Sequence, residues 1–130
     1  MIRIKRQVIG SLVKHALTDA PLEACGYLAE KDDIIEKHFP LTNIDVSNEH
    51  FSLDPKEQFA AVREIRALGL KLKAVYHSHP ASPARPSEED IRLAFDPSLS
   101  YVIVSLDKET VIKSFRINAG IVEEEEIVIV

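Results

Sequence analysis

Leu70-Lys71-Leu72-Lys73-Ala74-Val75-Tyr76-His77-Ser78-His79-Pro80 is the stretch on which the fold turns. Leu70, Leu72, Ala74 and Tyr76 alternate with Lys71, Lys73 and Val75, the period of a strand with one face packed and the other partly wet. The strand runs straight into His77. In extended backbone residues i and i+2 face the same way, so the imidazoles of His77 and His79 can converge on one point before Pro80 turns the chain aside.

Immediately upstream, Asp54-Pro55-Lys56-Glu57 has the form of a helix start: Asp54 as N-cap, Pro55 at the first helical position and Glu57 closing a capping box. Phe59, Val62, Ile65 and Leu68 are the expected buried stripe, and Gly69 the stop. Further back, Cys25 to Glu30 and Ile34 to Leu41 are β-favouring runs joined by Lys31-Asp32-Asp33, which reads as a hairpin. Val8, Ile9, Leu12, Val13, Ala16 and Leu17 recur at helical spacing until Pro21 ends the pattern.

Downstream, Pro80 to Pro86 is too rich in proline for helix or inner strand and is expected to cross the surface as an extended loop. A third helix starts near Ser87. Tyr101 to Leu106 and Thr110 to Ile117 read as strands around an Asp107-Lys108-Glu109 turn, and Glu123 to Glu126 as a solvated turn before Ile127 to Val130. Helices interspersed with strands predict an α/β fold, a mixed β-sheet flanked by helices, in one domain over residues 1–130.

Composition narrows the function. With 130 residues, 45% of them apolar and 28% charged, the chain is of globular type. A net charge of −5 argues against a nucleic-acid or anionic-membrane surface, since either needs a concentrated basic patch. No run approaches the roughly 18 apolar residues of a membrane span. Cys25 is the only cysteine, which excludes an internal disulfide and any zinc site of paired thiolates, and a reducing cytoplasmic compartment is expected. A protein substrate and self-association both stay open.

Asp90 falls one turn into the third helix, where its carboxylate can join the two imidazoles on a single cation. Three protein ligands and an open fourth position is the arrangement of catalytic zinc. Each half of the pattern has a plainer reading. Two histidines that close are more often incidental, and Ser87-x-x-Asp90 also spells a helix capping box that needs no metal.

Taken together, His77-Ser78-His79-Pro80, six residues, then Ser87-x-x-Asp90 resembles the complete motif of the JAMM (MPN-plus, Mov34/MPN/PAD-1) metallopeptidases. Pro21-Leu22-Glu23-Ala24-Cys25-Gly26-Tyr27-Leu28 is similar to the segment carrying that family's upstream glutamate. The likeness continues through Asn43, Phe51 to Pro55 and Tyr101 to Leu106. It implies a JAMM, cytidine-deaminase-like fold, Zn2+ on His77, His79 and Asp90, Glu23 as general base, and Ser87 as hydrogen-bond donor to the oxyanion. With one helix and one strand filling Leu53 to Pro80, the chain resembles the minimal prokaryotic form. Its Ser82-Pro83-Ala84-Arg85-Pro86-Ser87 is similar to the branch acting on ubiquitin-like sulfur carriers. The implied substrate is a bond after the C-terminal Gly-Gly of such a protein, the tail lying along Pro80 to Pro86.

Rival readings stay open at this level. Metal-free members of the superfamily are scaffolds, though they lack the histidines kept here. Cys25 as a thiol nucleophile would make a different hydrolase, but a lone cysteine in an apolar run is more often a small packed residue. A deaminase would need H-x-E and P-C-x-x-C ligands, which are absent. His15, His38 and His50 have no motif partners and read as surface or structural.

Overall fold

In the computed structural model, which describes residues 1–130, the elements are β1 (Ile2–Ile4), α1 (Arg6–Asp19), β2 (Cys25–Lys31), β3 (Ile34–Leu41), α2 (Pro55–Ala67), β4 (Lys71–His79), α3 (Glu88–Arg92), β5 (Ser100–Ser105), β6 (Val111–Asn118), β7 (Ile121–Glu125) and β8 (Ile127–Ile129). The strands form one sheet in the order β7-β6-β5-β4-β2-β3-β1-β8. β4 sits inside it, antiparallel to β2 and parallel to β5, and stays paired with β5 as far as His79. The expected hairpin is β2 and β3, and the fold is the mixed α/β sheet anticipated from the sequence. No helix is long and apolar enough to cross a membrane.

Two faces of β4 serve two cores. Val8, Leu12 and Ala16 of α1 pack on Leu28, Ala74, Tyr76, Val102 and Val104. On the opposite face, Ala61 and Ile65 of α2 pack on Cys25, Tyr27, Ala29, Phe39 and Leu41, with Leu72 and Val75 beside them. Leu72 therefore does not share a face with Ala74 and Tyr76. Leu28 pairs with Ala74 but Ala29 pairs with Leu72, so Lys73 is the extra residue of a β-bulge. A bulge inverts the alternation, and the even-numbered stripe expected from the sequence is split between the two cores.

The α2 stripe also differs from expectation. Phe59 is 68% exposed and Leu68 48%, while Ala61 and Ile65 are buried. Residues two apart lie nearly opposite on a helix, so Phe59 cannot join the face that Ala61 turns to the sheet. Asp54 does cap α2, accepting from Lys56 N–H at 3.0 Å. Glu57 does not close the box. Its carboxylate instead takes Thr42 N–H at 2.7 Å and Thr42 Oγ1–H at 2.9 Å. A tertiary pair of donors replaces a local one.

Both chain ends join the sheet. β1, for which the sequence predicts no element, runs parallel to both β3 and β8, with Ile2 and Ile4 buried. The acidic run is not a turn, for Glu123, Glu124 and Glu125 lie in the edge strand β7. Glu125 is held below its ordinary range: burial opposes this, but hydroxyl donors Ser100 and Ser114 and the N-terminal ammonium outweigh it.

Candidate metal centre

The interior position of β4 decides where the histidines go. His77 and His79 leave the same face of the strand with ring centroids 4.9 Å apart, and both are buried, at 3% and 5% exposure. Their Nε2 atoms are 3.0 Å apart. Asp90 Oδ2 stands 3.1 Å from the first and 3.2 Å from the second. The three ligand atoms offered lie within 4.8 Å of one another.

Asp90 reaches that point because α3 starts where it does. Ser87 Oγ accepts from Asp90 N–H at 3.0 Å, and Ser87 N–H donates to Asp90 Oδ2 at 2.9 Å. The capping box is therefore real, and it aims the carboxylate into the site. The capping box does not exclude the metal reading of Ser87-x-x-Asp90, since the Ser87 hydroxyl accepts in the box and keeps its proton to donate. His79 Nδ1 donates to the Pro83 carbonyl at 2.8 Å. A carbonyl only accepts, so the neutral ring carries its proton on Nδ1 and presents a lone pair at Nε2. The proline-rich loop thus sets a tautomer fit for a metal.

Burial disfavours charge on Asp90, but hydrogen bonds from His77 and His79 and the Ser87 N–H outweigh it and hold the carboxyl far below its usual range. Burial also disfavours charge on His79, and the Asp90 and Pro83 acceptors reverse that and raise its pKa. Two nitrogens and one carboxylate oxygen, convergent, buried and preset by a tautomer-fixing carbonyl, fit zinc.

Glu23 lies just before β2 and is pinned through its backbone. Its N–H donates to the Ser47 carbonyl at 2.9 Å, and its carbonyl accepts from Asn43 Nδ2 at 3.1 Å. The next residue is clamped by Ser78: Ala24 N–H donates to Ser78 Oγ at 2.7 Å, and Ser78 N–H returns to the Ala24 carbonyl at 2.9 Å. Glu23 is 3% exposed and its Oε1 has no partner. Burial raises its pKa to about 7, with charge on His79 opposing and Asp90 adding to the rise.

Three supporting residues had no role in the sequence reading. Ser78 links the glutamate segment to the histidine strand. Asn43 holds the 43–53 loop, its Oδ1 accepting from Asp45 and Ser52 N–H. Phe51 stacks on His77 at 4.7 Å between centroids. The motif match touched all three, but their contacts cross the chain and no local pattern announces them. Beside the centre a groove of about 440 Å³ is lined by Tyr27, Phe51, Val75, His77, Asp90 and Phe95. Of the Pro80 to Pro86 segment only Pro86 lines it, and the carbonyls of Ser82 and Pro83 already accept from Ser105 and His79.

The remaining candidates resolve differently. Cys25 is fully buried and burial pushes its thiol up to about 12, which leaves no thiolate for nucleophilic chemistry near neutral pH. His15 is structural, bonded to Tyr76 OH at 2.8 Å and Asp19 at 3.1 Å. His50 bridges to Glu89 at 3.5 Å on the rim of the groove. Burial lowers the pKa of His38.

Comparison with known proteins agrees with this geometry. The profile of the prokaryotic homologs of the JAB domain matches residues 5–118. The CysO-cysteine peptidase of Mycobacterium tuberculosis is 37% identical over 131 residues, covering 98% of this chain and 90% of that protein. A probable TtuB-protein conjugate cleaving protease of Thermus thermophilus is 34% identical over 95 residues, covering 72% of this chain and 64% of its own. The solution structure of a Desulfitobacterium hafniense protein superposes with a TM-score of 0.90 at 47% identity, covering 99% of this chain and 92% of that one.

Proposed function

We propose that this chain, which belongs to the family of prokaryotic homologs of the JAB domain, hydrolyses the bond after the C-terminal Gly-Gly of a ubiquitin-like or sulfur-carrier protein, with zinc on His77, His79 and Asp90 and Glu23 as general base. That it is a JAMM-type peptidase follows from its relatives, among them a peptidase 37% identical over nearly its whole length. The observation that carries the mechanism is the convergence of His77 Nε2, His79 Nε2 and Asp90 Oδ2, beside a buried glutamate with a free oxygen.

Zinc held there supplies a Lewis acid that lowers the pKa of water towards about 7. The chain's own groups do the rest. Glu23, its backbone held by Ser47, Asn43 and the Ser78 clamp on Ala24, takes the proton of the attacking water and returns it to the leaving nitrogen. The Ser87 hydroxyl donates to the oxyanion. Asp90 keeps its negative charge because His77, His79 and the N–H of the helix start at Ser87 hydrogen-bond it.

The substrate reading is supported by shape and by relatives. His77 and His79 are buried, with Phe51 stacked on His77, so the scissile carbonyl must descend to them, which residues without side chains permit. The two named relatives act on CysO-cysteine and on TtuB conjugates. The test combines elemental analysis with cleavage of a carrier protein extended beyond Gly-Gly. One zinc per chain and cleavage that fails on the Ala-Ala variant are expected; no metal after zinc-supplemented preparation sinks the mechanism, and equal cleavage of both variants sinks the substrate.

A further inference from the structure

We propose that the outer face of α2, built from Lys56, Phe59, Arg63 and Arg66, is the docking surface for the folded body of the substrate, and that this body is acidic around a small apolar spot. The inference rests on the peptidase reading above and specifies its partner.

The contacts of α2 fix which way its side chains turn. Ala61 and Ile65 are buried against the sheet. Glu57 and Glu64, about two turns apart, both turn to the β3 side, where Glu57 takes the two Thr42 donors and Glu64 stands 3.8 Å from Lys37. Gln58 turns the other way, bonding Tyr27 OH at 2.9 Å and lining the groove. The large and charged side chains left to solvent are Lys56, Phe59, Arg63 and Arg66, whose spacing makes them neighbours along one stripe.

The stripe is charged and has no partner within the chain. The ion pairs of lysine and arginine side chains involve Lys5, Lys37, Arg92 and Lys113, so Lys56, Arg63 and Arg66 stand unpaired. In a chain of net charge −5 they make a local field of the opposite sign. Phe59, 68% exposed, lies among them. An exposed aromatic flanked by arginines has the composition of a protein interface, and its cations select carboxylates. Three cations fall short of the cluster of about four to eight that holds an anionic membrane.

Position names the occupant. The groove meets the centre at His77 and Asp90 and is not lined by Glu23, the group that returns the proton to the leaving nitrogen, so it falls to the acyl side of the bond. A carrier tail lying in it passes Gln58. Phe59 stands one residue, about 100°, outward of Gln58. The body from which that tail hangs therefore meets the stripe where the tail leaves the groove.

The experiment uses the full zinc-loaded chain and three substrates with one leaving group: an acidic ubiquitin-like protein ending in Gly-Gly, its C-terminal tail as a free peptide, and the same tail on a basic ubiquitin-like body. Phe59→Ala, and Arg63→Glu combined with Arg66→Glu, should each lower kcat/KM for the acidic carrier by at least ~10-fold through KM, the scale of losing a central anchor or reversing interface charge. Cleavage of the tail peptide should not change. The charge-reversed chain should gain on the basic carrier, and its loss on the acidic one should fade with added salt. Binding of the acidic carrier to the chelated, metal-free chain should weaken by the same factor. Carrier and peptide rates falling together, or an acidic carrier cleaved and bound as before, overturn this inference and leave the peptidase intact. If light scattering shows the variants breaking a dimer while carrier cleavage holds, the stripe belongs to a second copy of this chain and the inference falls. Cleavage of no substrate by the unaltered chain overturns the peptidase reading, and the binding comparison still decides the docking face.

Discussion

Two histidine–carboxylate clusters sit on opposite faces of β4, one residue apart in the strand, and they are built to opposite ends. Behind Tyr76, His15 bonds the tyrosine hydroxyl with one nitrogen and Asp19 with the other, so each ring nitrogen has a partner of its own. Beside His77, three ligand atoms crowd one another within 4.8 Å and share a single carboxylate oxygen. The first cluster is closed. The second turns three ligand atoms towards a common centre, an arrangement consistent with a cation. Proximity of histidine to aspartate is thus common to both, and convergence is what separates a structural network from a metal centre.

The most severe way to break that contrast is to remove a member of the open cluster. His77→Ala or Asp90→Ala should abolish zinc binding and bring cleavage below detection with the sheet intact. Stoichiometric zinc in either purified variant would refute the ligand set. Next in size is Glu23→Gln, which should keep the metal and lose at least ~10²-fold in kcat, the usual scale for general acid–base catalysis. A loss of zinc along with activity would instead make Glu23 a ligand.

Acidity sharpens the comparison further. In the metal-free protein the raised His79 pKa contributes stability below the ordinary histidine value of about 6.5, and that contribution disappears as pH rises through the folded value. Asp90, depressed in the fold, contributes above about 3.9 and loses it on acidification. Zinc competes with the His79 proton, so the rise in Tm on adding zinc to chelated protein should shrink as pH falls from about 8 to about 6. A rise independent of pH across that window would remove His79 from the site.

Smaller effects come from outside the open cluster. His15→Ala leaves the Tyr76 hydroxyl buried without a partner and should cost about 1–3 kcal/mol in denaturant unfolding, with zinc content unchanged. Loss of zinc in that variant would show that the two clusters are coupled through β4. Cys25→Ser should be the mildest, retaining substantial cleavage activity. Its inactivation with metal intact would revive a thiol mechanism.

How much was legible depends on how far apart the interacting residues lie. The helix α1, the β2–β3 hairpin, Asp54 as cap and Gly69 as terminator at φ +71° all follow from signals a few residues long. The convergence of His77, His79 and Asp90 was legible because the two histidines share one strand face and Asp90 sits at a fixed place in a capped turn. The α2 stripe was misjudged because Phe59 competes with Ala61 for opposite faces, and hydrophobic bulk favours the wrong one. Helix-to-sheet distance favours the small residue. β1 was missed because its three residues become a strand only through partners distant in sequence, Ile34 and Ile127 among them, and the acidic edge strand because its run of glutamates masks a short hairpin with β6.

By itself, the sequence determined which groups are on offer: two imidazoles on one extended face, a carboxylate one turn into a helix, and a glutamate ahead of a strand. Only tertiary structure decided that these groups meet. The Lys73 bulge, the double hydrogen bond between Ser78 and Ala24, and the Pro83 carbonyl on His79 bring Glu23 and the histidines to one buried place. Gly26 belongs to the same layer, since a Cβ there would press on the Phe39 carbonyl and lie 2.6 Å from the Tyr76 ring. Such contacts depend on close packing between strands distant in sequence, and a linear pattern carries residue types and local periods but not the distances between them.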